Sequence, residues 1–196
     1  MYKILKRFFD ILASSTFLVL IAPWLFLIIA LIIKVDSKGP VFYKQKRLGY
    51  KKKYFILYKF RTMVQGDHSI DNRGRYHEIA IDSNKITKAG RFLRRTGLDE
   101  LPQFVNILLG NMSIIGPRPH PAVMDEEIGP KVNNYFKRLG VRPGLTGWAQ
   151  VNSLRGPANN IKTMNKRLEY DLWYIEHQSV YLDFKILLRT IFRNTI

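Results

Sequence analysis

No cysteine occurs anywhere in the chain, which removes disulfides, thiolate metal sites and cysteine nucleophiles from consideration. Acidic residues are scarce too: 15 Asp and Glu stand against 32 Lys and Arg, giving a formal charge of +17. The four histidines, His68, His77, His120 and His177, lack metal-ligand spacing and are assigned no role. Internal repeats, low-complexity tracts and an interdomain linker are likewise missing. Hydrophobic residues, in contrast, make up 46% of the chain and aromatic residues 13%, which excludes disorder. Its 196 residues suffice for one domain with a real core. So positive a protein is drawn to polyanions: nucleic acid, an anionic membrane face or phosphorylated small molecules.

The charge is concentrated. Residues 34–95 hold 17 basic and 5 acidic side chains, whereas Ile11 to Ile33 is a run of 23 residues with no charge at all. As a helix that run would reach roughly 35 Å at about 1.5 Å per residue, enough for a bilayer core of about 30 Å. A cleaved signal peptide would have a shorter apolar region ending in small residues, and this one ends Ile-Ile-Lys-Val-Asp. A simple transmembrane helix should be basic on one flank only. Here Lys3, Lys6 and Arg7 precede the run and Lys34, Lys38, Lys44, Lys46 and Arg47 follow it. Pro23 stands mid-run, where it removes a backbone donor. Together the flanks and the proline predict a hairpin that enters the membrane, bends at Pro23 and returns to the same side.

Beyond the run, Pro40–Tyr43 and Tyr54–Tyr58 are rich in aromatic and β-branched residues and flank a turn at 49–53, predicting a β-hairpin. Residues 66–84 are polar and read as a loop. From Lys88 to Pro119, Leu101, Phe104, Val105, Leu108 and Leu109 recur at helical spacing, with Gly110 as a stop. Asp99 stands where an N-cap belongs, so Asp99 and Glu100 are expected to open this helix, with Pro102 tolerated in its first turn. Capping and dipole complementation are the ordinary use of such acids. Their setting suggests more, because Arg91, Arg94 and Arg95 precede them and Arg118 follows. Two carboxylates among guanidinium groups suit a divalent ion and a phosphate together.

The motifs Lys6-Arg7-Phe8-Phe9-Asp10, Tyr58-Lys59-Phe60-Arg61-Thr62-Met63, Leu98-Asp99-Glu100-Leu101-Pro102-Gln103, Gly116-Pro117-Arg118-Pro119 and Arg142 to Asn152 occur, with the proline-centred apolar run, in one order. Glu169-Tyr170-Asp171 and Leu182 to Ile186 continue it, and in this order the chain resembles the bacterial sugar transferase family, the monotopic phosphoglycosyl transferases. The resemblance implies an α+β fold: a helix-rich catalytic domain over residues 37–196, with a small β-hairpin or sheet. Residues 1–36 would be a membrane-inserted re-entrant helix-break-helix, and interfacial amphipathic helices would lie on the cytoplasmic face of the bacterial inner membrane. The activity implied is transfer of a sugar 1-phosphate from a UDP-sugar to polyprenyl (undecaprenyl) phosphate, releasing UMP and initiating a membrane glycan. Asp99 would be the nucleophile, forming a covalent aspartyl phosphosugar in a ping-pong cycle.

A pyrophosphate repels an incoming carboxylate, so that chemistry needs Mg²⁺ and cationic donors. Asp99 and Glu100 match the one or two carboxylates that Mg²⁺ takes beside phosphates and water. Glu100 reads as a metal ligand or a proton-handling group. The resemblance carries Arg94 over as a phosphate contact. Pro117, Arg118 and Pro119 shape the nucleotide pocket, and Arg142 is a second phosphate or nucleotide candidate. Lys59 and Arg61 line the site, meet lipid phosphates or sit at a solvated hairpin end. Lys6, Arg7, Asp10, Ala22 and Pro23 belong to the membrane element. Ala22 departs from the family's Ser-Pro bend and lacks the hydroxyl that bonds a freed carbonyl. Trp148 reads as core.

In the C-terminal segment, Val180, Phe184, Leu187, Leu188 and Ile191 follow helical spacing and Lys185, Arg189 and Arg193 form a basic stripe. The helix either lies on anionic membrane lipid or covers the core. Nucleic acid is excluded as partner, since no recognition motif is present and the apolar run would have no purpose. The other readings are a non-catalytic basic membrane scaffold and a family member using a UDP-N-acetylated amino sugar. The stretch from Asn152 to Gly156 favours glucose or galactose, and Met1 favours a small family member over the catalytic part of a longer one. The oligomeric state, a homodimer included, is not legible.

Overall fold

The computed structural model describes residues 1–64, 79, 83–154 and 161–193. It opens with two helices, α1 (Tyr2–Thr16) and α2 (Ala22–Asp36), joined by one π-helical turn at Phe17–Ile21. Pro23 falls in the first turn of α2, and the helical run from Tyr2 to Asp36 continues through it, so the expected bend and return at Pro23 is not confirmed. One face of this element docks along its whole length. Lys6, Arg7, Asp10 and Phe17 make contacts from α1 and the π turn, then Phe26 and Asp36 from α2, while Ser14, Ala22, Ile29 and Ile33 are buried between them. From Arg7 to Asp36 these positions recur every three or four residues, except that five separate Phe17 from Ala22. The wider π turn absorbs the extra residue and keeps both halves facing the same way. Residues on the other face, among them Phe8, Leu12, Val19, Trp24, Leu27, Leu31 and Val35, are exposed. By length and composition Tyr2–Asp36 is long and apolar enough to cross a membrane.

The β-hairpin forms as expected and runs longer than its aromatic segments: β1 (Phe42–Leu48) pairs antiparallel with β2 (Tyr54–Phe60), Phe42 opposite Phe60. The free edge of β2 is closed by a side chain. Asn106 donates to the Ile56 carbonyl at 2.7 Å and accepts from the Tyr58 amide at 3.0 Å, imitating a further strand. Next come α3 (Lys88–Thr96), a 3₁₀ turn at Leu98–Glu100 and α4 (Gln103–Leu108). The expectation that Asp99 caps the following helix is corrected. Gly97, at φ 74°, ends α3 in the left-handed region, Asp99 and Glu100 occupy the separate 3₁₀ turn, and α4 starts after Pro102 with no side-chain cap. The Phe104 and Val105 amides donate to the Leu101 and Pro102 carbonyls of the preceding turn, both at 3.1 Å, so these amides need no capping oxygen.

A second sheet, which the sequence did not announce, pairs β3 (Ser113–Ile115) with β4 (Gly144–Thr146) in parallel. Its strands touch closely: a Cβ on Gly144 would lie 2.1 Å from the Gly116 nitrogen, so glycine is required. Between these strands lies α5 (Ala122–Ile128), and after them α6 (Trp148–Val151), α7 (Ile161–Glu176) and α8 (Val180–Arg193). The core is a set of small clusters. One joins Ile29 and Ile33 of α2 to Phe60 and Leu93, so the apolar N-terminal element is part of the core.

In α8 the residues facing the core are Leu182 and Ile186, whereas Phe184 and Ile191 of the expected apolar stripe are exposed. The helix thus covers core on one side and presents apolar residues on another. Lys185 and Arg189 lie over the Trp148 ring at 6.0 and 5.3 Å from its centre. Arg193's side chain, most of the polar 66–84 stretch, and Arg155 and Gly156 lie outside the described residues.

Candidate functional site

Three segments meet at the dyad. The end of β2 supplies Lys59, the 3₁₀ turn supplies Asp99 and Glu100, and the segment after β3 supplies Arg118. Lys59 donates to Glu100 Oε1 at 2.8 Å, and Arg118 donates to Oε1 at 2.7 Å and to Oε2 at 3.2 Å. Asp99 is buried beside them. Arg94 acts electrostatically on Asp99, while its Nε donates to Thr62 Oγ1 at 2.9 Å and its Nη1 to the Ile79 carbonyl at 3.1 Å. The seat for Arg94 depends on one glycine: a Cβ on Gly90 would stand 2.0 Å from the Thr62 carbonyl oxygen, so only glycine lets α3 approach so closely.

The two carboxylates differ sharply. Burial works to raise Glu100, but Arg118 and Lys59 overcome it and hold Glu100 well below the usual carboxylate range. Burial dominates at Asp99 and pushes it up; Lys59, Arg94 and Arg118 oppose this, and the Glu100 charge adds to it. Glu100 is thus a fixed anion, and Asp99 is a buried carboxylate whose charge is only partly balanced. Paired acids with diverging environments are where distinct chemical roles arise.

Arg118 is held from behind. Consecutive carbonyls of its loop each have a donor: Pro117 accepts from the Gly144 amide at 2.9 Å, Arg118 from Arg138 at 2.6 Å and Pro119 from Arg47 at 2.8 Å. Arg138 is itself buried, with Nε and Nη2 donating to Asp171 Oδ2 at 3.0 and 2.8 Å and Nη1 lying 2.8 Å from His120 Nδ1. Burial lowers His120 and the arginines around it lower it further, so its imidazole is neutral. Tyr135 and Asp125 complete this buried polar group. The sequence reading assigned His120 nothing and overlooked Arg138. Its only signal there was that Arg138 and Asp171 are charges amid apolar residues.

Other sequence candidates fall elsewhere. The Arg61 guanidinium is buried and donates to the carbonyls of Pro40, Lys38 and Ser37 and to the Ser37 hydroxyl at 2.5 to 2.9 Å, tying the end of β2 to the end of α2. These four hydrogen bonds to its own chain make it a structural tie. Arg142 donates through Nε to the Gly110 carbonyl at 2.9 Å, which puts it past the C-terminal end of α4 while the dyad precedes the N-terminal end. Arg7 caps that same C-terminal end, donating to Ile107 and Leu108 carbonyls at 2.6 and 2.8 Å. Asp10 accepts from Ser113 and from the Ile114 amide at 3.1 and 2.9 Å, fixing α1 to β3.

Among the described residues no group of three or more acidic or imidazole ligands is gathered. Hard oxygen donors are nonetheless present: among the described residues no protein cation lies on Asp99 at hydrogen-bond distance, and Glu100 shares its oxygens with two cations. That donor set fits Mg²⁺ bound by one or two carboxylates with phosphates and water completing the shell.

The family model for bacterial sugar transferases matches residues 1–195, and the chain belongs to that family. It is 43% identical, over 98% of its length, to the UDP-glucose:undecaprenyl-phosphate glucose-1-phosphate transferase of Klebsiella pneumoniae. It is 41% identical over 96% of its length to the exopolysaccharide production protein PSS of Rhizobium leguminosarum bv. phaseoli. To the UDP-N-acetylgalactosamine-undecaprenyl-phosphate N-acetylgalactosaminephosphotransferase of Aeromonas hydrophila it is 38% identical over 97%. The chain spans about two fifths of the Klebsiella and Aeromonas proteins, at 40% and 43%, and 94% of the Rhizobium one.

Proposed function

We propose that this chain moves a sugar 1-phosphate from a UDP-sugar to undecaprenyl phosphate by a covalent route through Asp99. The observation that carries the reading is the asymmetry of the dyad: Glu100 is clamped by Lys59 and Arg118, which leaves Asp99 as the carboxylate without a hydrogen-bonded cation among the described residues. An Asp99 oxygen attacks the sugar-bearing phosphorus. The bond from that phosphorus to the bridging oxygen breaks, and UMP leaves with the electron pair. A phosphate oxygen of the acceptor then attacks the aspartyl phosphorus, returning the Asp99 carboxylate and forming the polyprenyl diphosphosugar. Arg94 and Arg118 supply guanidinium groups for the phosphoryl oxygens, and Lys59 and Arg118 keep Glu100 ionised and oriented. Mg²⁺, held by the dyad carboxylates, would neutralise the pyrophosphate charge.

UDP-glucose is the first donor to test, supported by the Klebsiella relative's name; UDP-N-acetylgalactosamine is the second, supported by the Aeromonas one. The same reading places the chain in one leaflet of the inner membrane, with the dyad on the cytoplasmic side. Both ends of the apolar element supporting this, Lys6 on Asp183 and Asp36 on the Ala89 amide, dock on the same folded body. The exposed face between them is apolar, which fits monotopic insertion.

The test is UMP release in nanodiscs from UDP-glucose, UDP-galactose and UDP-N-acetylgalactosamine, with acceptor and Mg²⁺, for wild type and Asp99→Asn. Intact mass spectrometry without acceptor should show one phosphosugar added to wild type alone. Release by both proteins, or no release by a folded wild type from any donor, overturns the reading. In the second case a membrane scaffold is the remaining one.

A further inference from the structure

Away from the dyad, a small cleft opens beside the first turns of α1. It has a volume of about 80 Å³ and is lined by Lys3, Lys6, Arg7, Tyr50 and Arg142, with Asp10 at its base. Two separate stretches of chain bring these cations together, at 3–7 and at 142, and the β-hairpin turn adds Tyr50. Their partners are unequal. Lys6 pairs with Asp183 at 2.6 Å, and Arg7 donates to two helix-end carbonyls. Asp10 is engaged by Ser113 and Ile114. Lys3 has no ion pair or hydrogen bond among the described residues, and neither do the terminal nitrogens of Arg142, whose Nε alone is used. The Arg142 and Arg7 guanidinium groups repel each other, the Asp10 charge partly offsets this at Arg7, and among the described residues neither arginine forms an ion pair. Arg142 also lies over the Tyr50 ring at 5.8 Å from its centre. A fold that holds like charges together in a concave site, with the Lys3 amine and the outer edge of Arg142 free of hydrogen bonds among the described residues, has the form of an anion receptor.

Size and surroundings narrow the anion. The cleft is far below the roughly 300 Å³ at which pockets for whole small-molecule ligands begin, so it suits a single phosphate group rather than a nucleotide sugar. Exposed apolar residues neighbour these cations along the chain: Ile4, Leu5 and Phe8 interleave with Lys3, Lys6 and Arg7 on α1, and Leu108 and Leu109 precede the Gly110 whose carbonyl Arg142 bonds. A cationic hollow bordered by apolar surface matches a phosphate head carrying acyl chains. We propose that this cleft seats the phosphate headgroup of an anionic membrane phospholipid, with Lys3 and Arg142 as its direct contacts and the acyl chains lying along Ile4, Phe8 and Leu109. The site is separate from the dyad, and the proposal stands or falls independently of the transfer reaction. It fixes the depth and rotation of α1 at the bilayer surface by a specific contact.

The experiment uses full-length protein released from nanodiscs of equal parts phosphatidylcholine and phosphatidylglycerol, with retained lipid counted by native mass spectrometry. Wild type should keep phosphatidylglycerol in preference to phosphatidylcholine. Lys3→Gln/Arg142→Gln should weaken retention about 25-fold, the usual worth of two basic residues at an anionic surface. Lys162→Gln/Lys166→Gln on α7 makes the same charge change at exposed positions elsewhere and should retain lipid like wild type. Excess inorganic phosphate should not displace the lipid, because it lacks the acyl chains. Equal losses in both double variants, no loss in either, or displacement by inorganic phosphate would each overturn the proposal. Circular dichroism of the variants, both made at exposed side chains, separates loss of lipid from loss of fold.

Discussion

At the N-terminal end of α4 the Glu100 carboxylate lies between Lys59 and Arg118, whereas at the C-terminal end Arg7 and Arg142 converge on Gly110 without a carboxylate partner. A helix of two turns separates a balanced cluster from an unbalanced one. The difference shows two uses of positive charge in a protein whose total of +17 says little about either. Near the dyad, cations fix one carboxylate so that its neighbour can react. At the far end they remain unneutralised, which leaves them available to something outside the chain.

Substitutions can break this contrast, and the dyad end should respond most. Asp99→Asn is expected to lower UMP release by about 10⁴-fold or more, the usual scale for removing a covalent nucleophile, measured by coupled assay. The same variant should melt at or above the wild-type temperature. Because burial raises Asp99 in the fold, its stabilising contribution is greatest below the unfolded value near 3.8 and declines as pH rises through the folded one. At neutral pH its charge is a standing penalty that Asn removes. Activity should run in the opposite sense, falling in acid as Asp99 is protonated, because only the carboxylate is a nucleophile.

Arg138→Met tests the support behind that end. It strands Asp171 in the core, and about 3 to 5 kcal/mol of stability should be lost in chemical denaturation. Arg138→Met/Asp171→Leu should recover part of it, since Asp171 is then no longer stranded while buried Asp125 still lacks the Arg138 charge. UMP release should stay depressed in the recovered variant, because the Arg118 carbonyl still lacks its donor.

Glu100→Gln should cost about 2 kcal/mol at neutral pH, the scale of hydrogen bonds to a charged group. Glu100 is depressed in the fold, so its contribution is present above the unfolded value near 4.5 and is lost as pH falls through the folded one. The difference between variant and wild type should therefore shrink in acid. Arg142→Gln, at the unbalanced end, should change stability by no more than about 0.5 kcal/mol. A large loss there would mean that the two ends are not electrostatically distinct.

Much of this was legible along the chain. The hairpin, the span of α8 and the helical pattern around Leu101 to Leu109 are local signals, and local patterns fix them. Asp99, Glu100, Lys59 and Arg118 were named together from motifs, and the structure brings them together. Less legible was anything that depends on which distant segment sits opposite. Arg61 and Arg142 looked alike as basic residues in promising motifs, yet one ties two element ends and the other lies past the wrong end of α4. Strands of three residues such as β3 and β4 carry no periodicity, and their pairing rests on the close approach of Gly116 and Gly144. Asp99 was misplaced as a cap because Gly97 closes the preceding helix and Pro102 starts the next, leaving a turn between them that apolar spacing does not report.

The single wide turn at Phe17–Ile21 makes the N-terminal element behave as a key with two bits cut at a fixed angular offset. Each residue advances an α-helix by about 100°, so deleting one residue within that turn lets it relax to an ordinary α turn with α2 still in phase, whereas deleting one between Phe26 and Ile29 would swing the rest of α2 away from its lock while α1 stayed seated. In that second case Asp36 would lose the Ala89 amide, and Ile29 and Ile33 would turn outward. Shortening is therefore more tolerable between residues 17 and 21 than within α2.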